Sequence, residues 1–157
     1  MDKVSEDRYP KRVMTSFVCQ YMLAQTYPDM FDASKTVSVF YENAASLEAH
    51  HIIPLGTAKK VGEVTADIRK DPKHICNSPL NFVLITKEAN KAISDDALDI
   101  YAKKITPEAK SALYITSYVS EDAASTRDKI HSILDNRFEM LNGKVLHTIN
   151  DKLMNWR

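Results

Sequence analysis

Apolar residues recur at helical spacing along the C-terminal part of the chain, and no other pattern constrains the fold as strongly. Successive members lie 4, 4, 3, 4, 4 and 4 positions apart, and they are Ile130, Leu134, Phe138, Leu141, Val145, Ile149 and Leu153. Such a stripe predicts an amphipathic helix. Asn142 and Gly143 interrupt the pattern, which allows either one kinked helix or two shorter helices.

Other segments also favour helix, since the chain holds only 3 Gly and 6 Pro. Residues 10–26 are predicted to form a helix with a proline in its first turn, and residues 27–29 are predicted to end it. Residues 35–41 fit either a short strand or further helix. Two more helices are predicted, one that begins at Asp95 or Asp96 and reaches Lys104, and one that begins at Pro107 behind the cap residue Thr106.

Two short segments in the middle of the chain are predicted to be β-strands. Residues 47–53 form the first, and residues 79–86 form the second because they are rich in β-branched and aromatic side chains. The segment between them, 55–77, is predicted to be an irregular insertion in which 61–69 can form a helical turn or two. Thr86 is a suitable cap for a short helix over 87–93.

The charge balance limits the classes of partner. Lys and Arg together number 21, and so do Asp and Glu, so the formal net charge is zero. Zero net charge argues against a free-standing protein that coats DNA, because phosphate neutralisation supplies much of non-specific affinity. A nuclease with its basic groups on one face remains compatible. We therefore expect another domain or subunit to help hold the substrate.

The cysteines and the hydropathy of the sequence indicate in which cellular compartment the protein is expected. Cys19 and Cys76 lie far apart with no CxxC pair, so we expect reduced thiols, with neither a disulfide nor a structural zinc site. The chain shows no apolar leader and no run of about 18 apolar residues. We therefore expect a soluble, cytoplasmic protein with no membrane association.

Polar residues cluster where the strands and the short helix join. His50 and His51 are adjacent on the first strand, so their side chains point to opposite sides, and one can bind a metal while the other faces water. Asn81 in the second strand needs hydrogen-bond partners, which we expect in the loop after the first strand. Asn90, early in the short helix, can offer a carbonyl oxygen to a hard cation such as Mg²⁺.

These residues resemble a known motif. The segment from His50 through Pro54, then Leu80 to Ile85 around Asn81, then Asn90, is similar to the ββα-metal (His-Me) finger of HNH endonucleases. The resemblance implies that His50 and Asn90 bind one Mg²⁺ or Mn²⁺, that His51 is the general base and that Asn81 orients it. The spacing of 9 between Asn81 and Asn90 fits the motif.

The resemblance extends over about residues 47–101, and it is most specific to the HNH domain at the C-terminal end of large bacterial restriction and phage-defence proteins. In those proteins a ParB/sulfiredoxin-like domain that hydrolyses nucleotides precedes the HNH domain. Two features depart from the motif: 30 residues separate His51 from Asn81, and Ser94, a poor ligand, stands where some relatives supply a third ligand.

The fold expected from these features is α+β, mostly helical, around a small two-stranded antiparallel ββα-metal core. We expect a single HNH nuclease domain over 1–157. It comprises an N-terminal helical region at 1–45, the core at 46–101 with its insertion at 55–77, and C-terminal helices at 102–157.

The implied function is a divalent-metal-dependent endonuclease that hydrolyses DNA in restriction or phage defence. Lys91 and Lys87 are candidates to bind substrate phosphates. One alternative is a catalytically weak HNH module that binds DNA or a protein within a larger complex. The other is a helical scaffold protein in which the motif is a coincidence.

Several other polar residues receive a structural interpretation. His74 is interpreted as a loop histidine in preference to a ligand, and His131 and His147 as structural or exposed. Arg137 is expected to pair with Asp135 or Glu139 in preference to a phosphate. A basic group in the insertion fits either a DNA-facing patch or a solvated loop, and its members are Lys59, Lys60, Arg69, Lys70 and Lys73.

Overall fold

A computed structural model describes residues 21, 25–38, 47–56, 63–94, 96, 98–115 and 126–154. In these ranges the fold is α+β, as predicted. Strand β1 (Tyr27–Pro28) pairs with β2 (Thr36–Val37), and β3 (Leu47–His51) pairs with β4 (Phe82–Thr86), both antiparallel. The helices are α1 (Thr65–Lys70), α2 (Lys87–Ile93), α3 (Leu98–Tyr101), α4 (Pro107–Ala112) and α5 (Thr126–Met154).

The pairing of β3 with β4 and the helix that follows form the predicted ββα core. His51 lies opposite Phe82 and His50 opposite Val83 in the register. β4 begins later than predicted, because residues 79–81 form a 3-10 turn in which the Ser78 hydroxyl accepts a hydrogen bond from the Leu80 amide. β3 ends at His51 instead of residue 53, although the Ile52 amide still donates to the Asn81 carbonyl at 2.8 Å.

The predicted caps position α2 and α4. The Thr86 hydroxyl accepts a hydrogen bond from the Ala89 amide, so α2 covers the predicted range, and Thr106 makes the same contact with Ala109 at the start of α4. The helix predicted to reach Lys104 is shorter, because α3 ends at Tyr101 and turns follow it. Its cap candidate Asp95 lies outside the described residues.

The predicted insertion is ordered in its described part. Residues 63–77 contain α1 and a 3-10 turn (Ile75–Asn77), and three of their side chains are buried: Ile68, Ile75 and Cys76. The prediction of an irregular segment is therefore wrong for these residues, whereas the helical alternative for 61–69 agrees with α1. Lys59 and Lys60 lie outside the described residues.

Helix α5 runs without a break through Asn142 and Gly143. Its first half packs on the core through buried residues that include Ile130, Leu134 and Leu141. Beyond them Val145 is half-buried, and Ile149 and Leu153 are exposed, Leu153 at 63%. The predicted stripe is thus buried only as far as Leu141.

Near the N-terminus, the alternative of a strand over 35–41 agrees with β2, and residues 39–41 lie outside the described part. The prediction of a helix over 10–26 is wrong at its end, since residues 25 and 26 are not helical, and most of it lies outside the described residues, as does Cys19. None of the helices in the described part of the chain combines the length and apolar character that crossing a membrane requires.

Candidate metal centre and general base

The two adjacent histidines of β3 occupy different surroundings, as the alternation of a strand predicts. His50 is 8% exposed, and its ring meets Tyr101 edge-on with the ring centroids 5.8 Å apart. His51 is half-buried, and its ring lies against Phe82 with the centroids 4.2 Å apart. The strand therefore presents one imidazole to the α2–α3 side of the core and the other beside β4.

Burial keeps both imidazoles neutral near pH 7. It is the main cause that lowers the pKa of His50, a hydrogen bond to Asn90 opposes this effect, and electrostatic interaction with His51 lowers the pKa further. Burial also lowers the pKa of His51, reinforced by the charge of Arg69 and opposed by a hydrogen bond to the Asn77 side chain. A neutral imidazole has the free lone pair that a metal ligand or a general base requires.

Asn90 meets His50 across a separation of 40 residues. Its Oδ1 accepts a hydrogen bond from Nδ1 of His50 at 3.0 Å. Its Nδ2 donates to Oε2 of Glu48 at 2.6 Å. Hydrogen bonds between the side chains of Glu48, Asn90 and His50 thus join β3 to α2. Sequence reasoning missed Glu48, although it lies two positions from His50 and therefore on the same face of β3.

The donor atoms of His50 and Asn90 fit a hard divalent cation. Neighbouring ligands of an octahedral ion with bonds of about 2.1 Å are separated by about 3.0 Å, which is the distance found between Nδ1 and Oδ1. Nδ1 carries the proton in the hydrogen bond to Asn90, so metal binding through Nδ1 would require the proton to move to Nε2, which lies buried without a hydrogen-bond partner. The described residues contain no group of three or more His, Cys, Asp or Glu side chains that could hold a metal. His50 and Asn90 leave coordination positions that water can fill, and Mg²⁺ and Mn²⁺ retain water ligands readily.

Asn81 braces the loop that follows His51. It is fully buried, its Oδ1 accepts a hydrogen bond from the Ile53 amide at 2.8 Å, and its Nδ2 donates to the carbonyls of Ile53 at 3.1 Å and Cys76 at 2.8 Å. The side chain reaches the loop after the first strand, as expected. The prediction that it lies inside the second strand is wrong, because Asn81 ends the 3-10 turn before β4.

Arg137 is a second brace, and its predicted pairing with Asp135 or Glu139 is wrong. Residues two positions apart on a helix point in different directions, so neither carboxylate faces it. Instead Arg137 is 1% exposed and donates to the carbonyl of Leu80, to that of Phe82 at 3.0 Å and twice to that of Leu113, at 3.1 and 3.3 Å. Burial lowers its pKa to about 9, so the guanidinium remains charged at neutral pH.

The remaining candidates are all exposed. Lys87 and Lys91 are both exposed and one turn apart on α2. Ser94 is exposed and has a positive φ of 50°. The exposed basic residues of the described insertion are Arg69, Lys70 and Lys73.

The other histidines have structural surroundings. His74 lies between Oε2 of Glu63, 3.1 Å from its Nε2, and the Cys76 amide, which donates to its Nδ1 at 3.2 Å. These contacts agree with a loop histidine. His147 is exposed beside Asp151, and His131 is half-buried. Burial raises the pKa of the Cys76 thiol to about 11, so it is protonated and unreactive.

Comparison with known proteins adds one match. The family model described as the C-terminal domain of GmrSD restriction endonucleases matches residues 2–137. No curated protein and no solved structure matches the chain.

Proposed function

The chain belongs to the family of C-terminal domains of GmrSD restriction endonucleases, an HNH-type nuclease domain, and we propose that it cuts DNA with one bound Mg²⁺ or Mn²⁺. The observation that carries the proposal is the pair formed by His50 and Asn90, whose donor atoms are 3.0 Å apart, with a second neutral histidine adjacent on the strand. A hydrolase of phosphodiesters needs a cation site and a base in this proximity.

His50 and Asn90 would hold the cation, which when bound supplies positive charge to the phosphate and to the leaving 3′ oxygen. His51 accepts a proton from the water that attacks phosphorus in line. Its lowered pKa leaves the imidazole unprotonated at neutral pH and therefore ready to act as a base.

Two further groups support the base and the substrate. Asn81 holds both backbone polar groups of Ile53 and so limits movement of the loop that follows His51. Lys87 and Lys91 lie exposed on the helix that carries Asn90, and each can bind a substrate phosphate.

Specificity and regulation come, in this proposal, from another domain or subunit. The chain carries no net charge, so its non-specific attraction to DNA is weak, and a partner would raise it. We also propose a cytoplasmic location, because a nuclease of restriction or phage defence has to meet the DNA that it cuts.

Nicking of supercoiled plasmid in the presence of Mg²⁺ or Mn²⁺ tests the proposal. We expect the wild type to nick, His51→Ala to lose at least about 100-fold in rate because the general base is gone, and His147→Ala to retain activity. His147 is a matched control because it is an exposed histidine on α5. If the wild type nicks no faster than His51→Ala with either metal, the chain is a binding module and not a nuclease.

A further inference from the structure

Glu48 is the acidic residue that contacts the candidate cation site. Its Oε2 is 2.6 Å from Nδ2 of Asn90, a short distance typical of a hydrogen bond to a charged acceptor. Glu48 lies opposite Ile85 in the β3–β4 register, and His50 lies opposite Val83, so the two side chains occupy the same face of the sheet two residues apart. Neither the motif nor the family match assigns Glu48 a role.

The chemistry of a carboxylate determines how the Asn90 amide is oriented. A carboxylate accepts hydrogen bonds and donates none, so Nδ2 of Asn90 must face Glu48. The amide is planar, and Oδ1 is consequently directed toward His50, where it lies 3.0 Å from Nδ1. Rotation of the amide by half a turn would bring Oδ1 against the carboxylate and would present an N–H group to the cation. Both consequences are unfavourable. The first brings two hydrogen-bond acceptors, the amide oxygen and the carboxylate, against each other, and the second deprives the cation of its oxygen ligand.

We propose that Glu48 is a positioning residue of the cation site: it holds the Asn90 amide with its oxygen toward His50 and adds negative charge beside the cation. This inference rests on the proposed function, since it assumes that His50 and Asn90 bind the metal. A cation site to which the described residues contribute two neutral ligands gains affinity from a carboxylate next to it.

Titration of the full chain with Mn²⁺ in a calorimeter tests the role of Glu48 without requiring catalysis. Loss of a residue that orients a metal ligand typically weakens metal binding by about 10–100-fold, and we expect that range for Glu48→Ala. Glu48→Gln keeps an oxygen that can accept from Asn90 but removes the charge, so its affinity is expected between those of Glu48→Ala and the wild type. Glu88→Ala removes an exposed carboxylate from the first turn of α2 and should bind Mn²⁺ within about twofold of the wild type.

Thermal unfolding of each variant in the absence of metal separates an effect on the site from loss of folding. The half-saturating Mn²⁺ concentration for plasmid nicking should rise in Glu48→Gln, while the rate at saturating Mn²⁺ recovers, which a purely structural defect would not produce. If Glu48→Ala and Glu48→Gln bind Mn²⁺ as tightly as the wild type while His50→Ala does not bind it, the role of Glu48 is wrong and the proposed metal site stands. If the wild type binds no Mn²⁺, the metal site itself is wrong and the inference about Glu48 is overturned with it.

Discussion

Replacement of Arg137 by Met removes the buried guanidinium and keeps an unbranched side chain with a high helix propensity. The change deletes four hydrogen bonds to described residues and leaves three carbonyl oxygens without this donor, those of Leu80, Phe82 and Leu113. A buried polar group left without a partner costs about 1–3 kcal/mol. Removal of a fully buried charge relieves a desolvation penalty of several kcal/mol, which offsets part of that loss.

Three carbonyls left without a donor cost about 3–9 kcal/mol together. After the partial offset from desolvation, we expect the free energy of unfolding to fall by about 3–5 kcal/mol. For a chain of this length, 1 kcal/mol corresponds to about 2–4 °C, so Tm should fall by roughly 6–20 °C. Arg137→Lys keeps the charge but has one nitrogen instead of three, so it should fall between the wild type and Arg137→Met.

Urea unfolding followed by circular dichroism measures the effect, with Arg69→Met as the matched control. Arg69 is exposed on α1, and its replacement should change the free energy of unfolding by less than about 0.5 kcal/mol. If Arg137→Met lies within that same margin of the wild type, water or a rearranged side chain satisfies the three carbonyls, and the interpretation of Arg137 as a brace is refuted.

Three further substitutions test separate parts of the fold. Asn81→Asp cannot donate to the carbonyls of Ile53 and Cys76. We expect it to lower the free energy of unfolding, measured in urea, by about 3 kcal/mol or more. A loss under about 1 kcal/mol would contradict the bracing role. Thr86→Ala removes the cap of α2 and a hydrogen bond to Asp29, so the free energy of unfolding should fall by about 1–2 kcal/mol. Thr86→Ser keeps the hydroxyl and should stay near the wild type. Equal losses in the two variants would show that the hydroxyl is not the cause. Gly143→Ala should raise Tm by a few degrees, equivalent to about 0.5–1 kcal/mol in the free energy of unfolding, because a Cβ at this position meets no atom within 4 Å. A lower Tm would show strain in α5 at that point.

Local signals in the sequence predicted the elements that depend on local physics. The cap of α2 at Thr86 and the proline start of α4 after Thr106 involve contacts within four residues, so the sequence displays both partners side by side. Strand ends were less accurate, because contacts between side chains and backbone decide them, and these are distant in sequence for β3 and local for β4. β3 ends two residues early where the Asn81 amide takes both backbone groups of Ile53, and β4 starts three residues late where Ser78 caps a turn.

The site shows the same division. The resemblance and the alternation of a strand singled out His50, His51, Asn81 and Asn90. The structure brings His50 and Asn90 together, although Asn81 lies before β4 and not within it. Glu48 escaped notice because its partner is 42 residues away and nothing in the local sequence distinguishes it from an exposed strand carboxylate. Arg137 was misassigned for the related reason that its three acceptors are backbone carbonyls, which have no signature in a sequence.

The contacts of Arg137 also change which part of the chain supports the proposed base. The two β4-side carbonyls that it binds belong to the residues on either side of Asn81, and Asn81 in turn holds Ile53 in the loop that begins at His51. Helix α5 therefore supports that loop in two steps, although the motif resemblance is specific only to about residues 47–101. The family match includes Arg137, so the unit over which the relatives resemble this chain contains the brace as well as the finger. A segment limited to the finger would leave the carbonyls around Asn81 without their charged donor, and for that reason we regard α5 as part of the site's supporting structure.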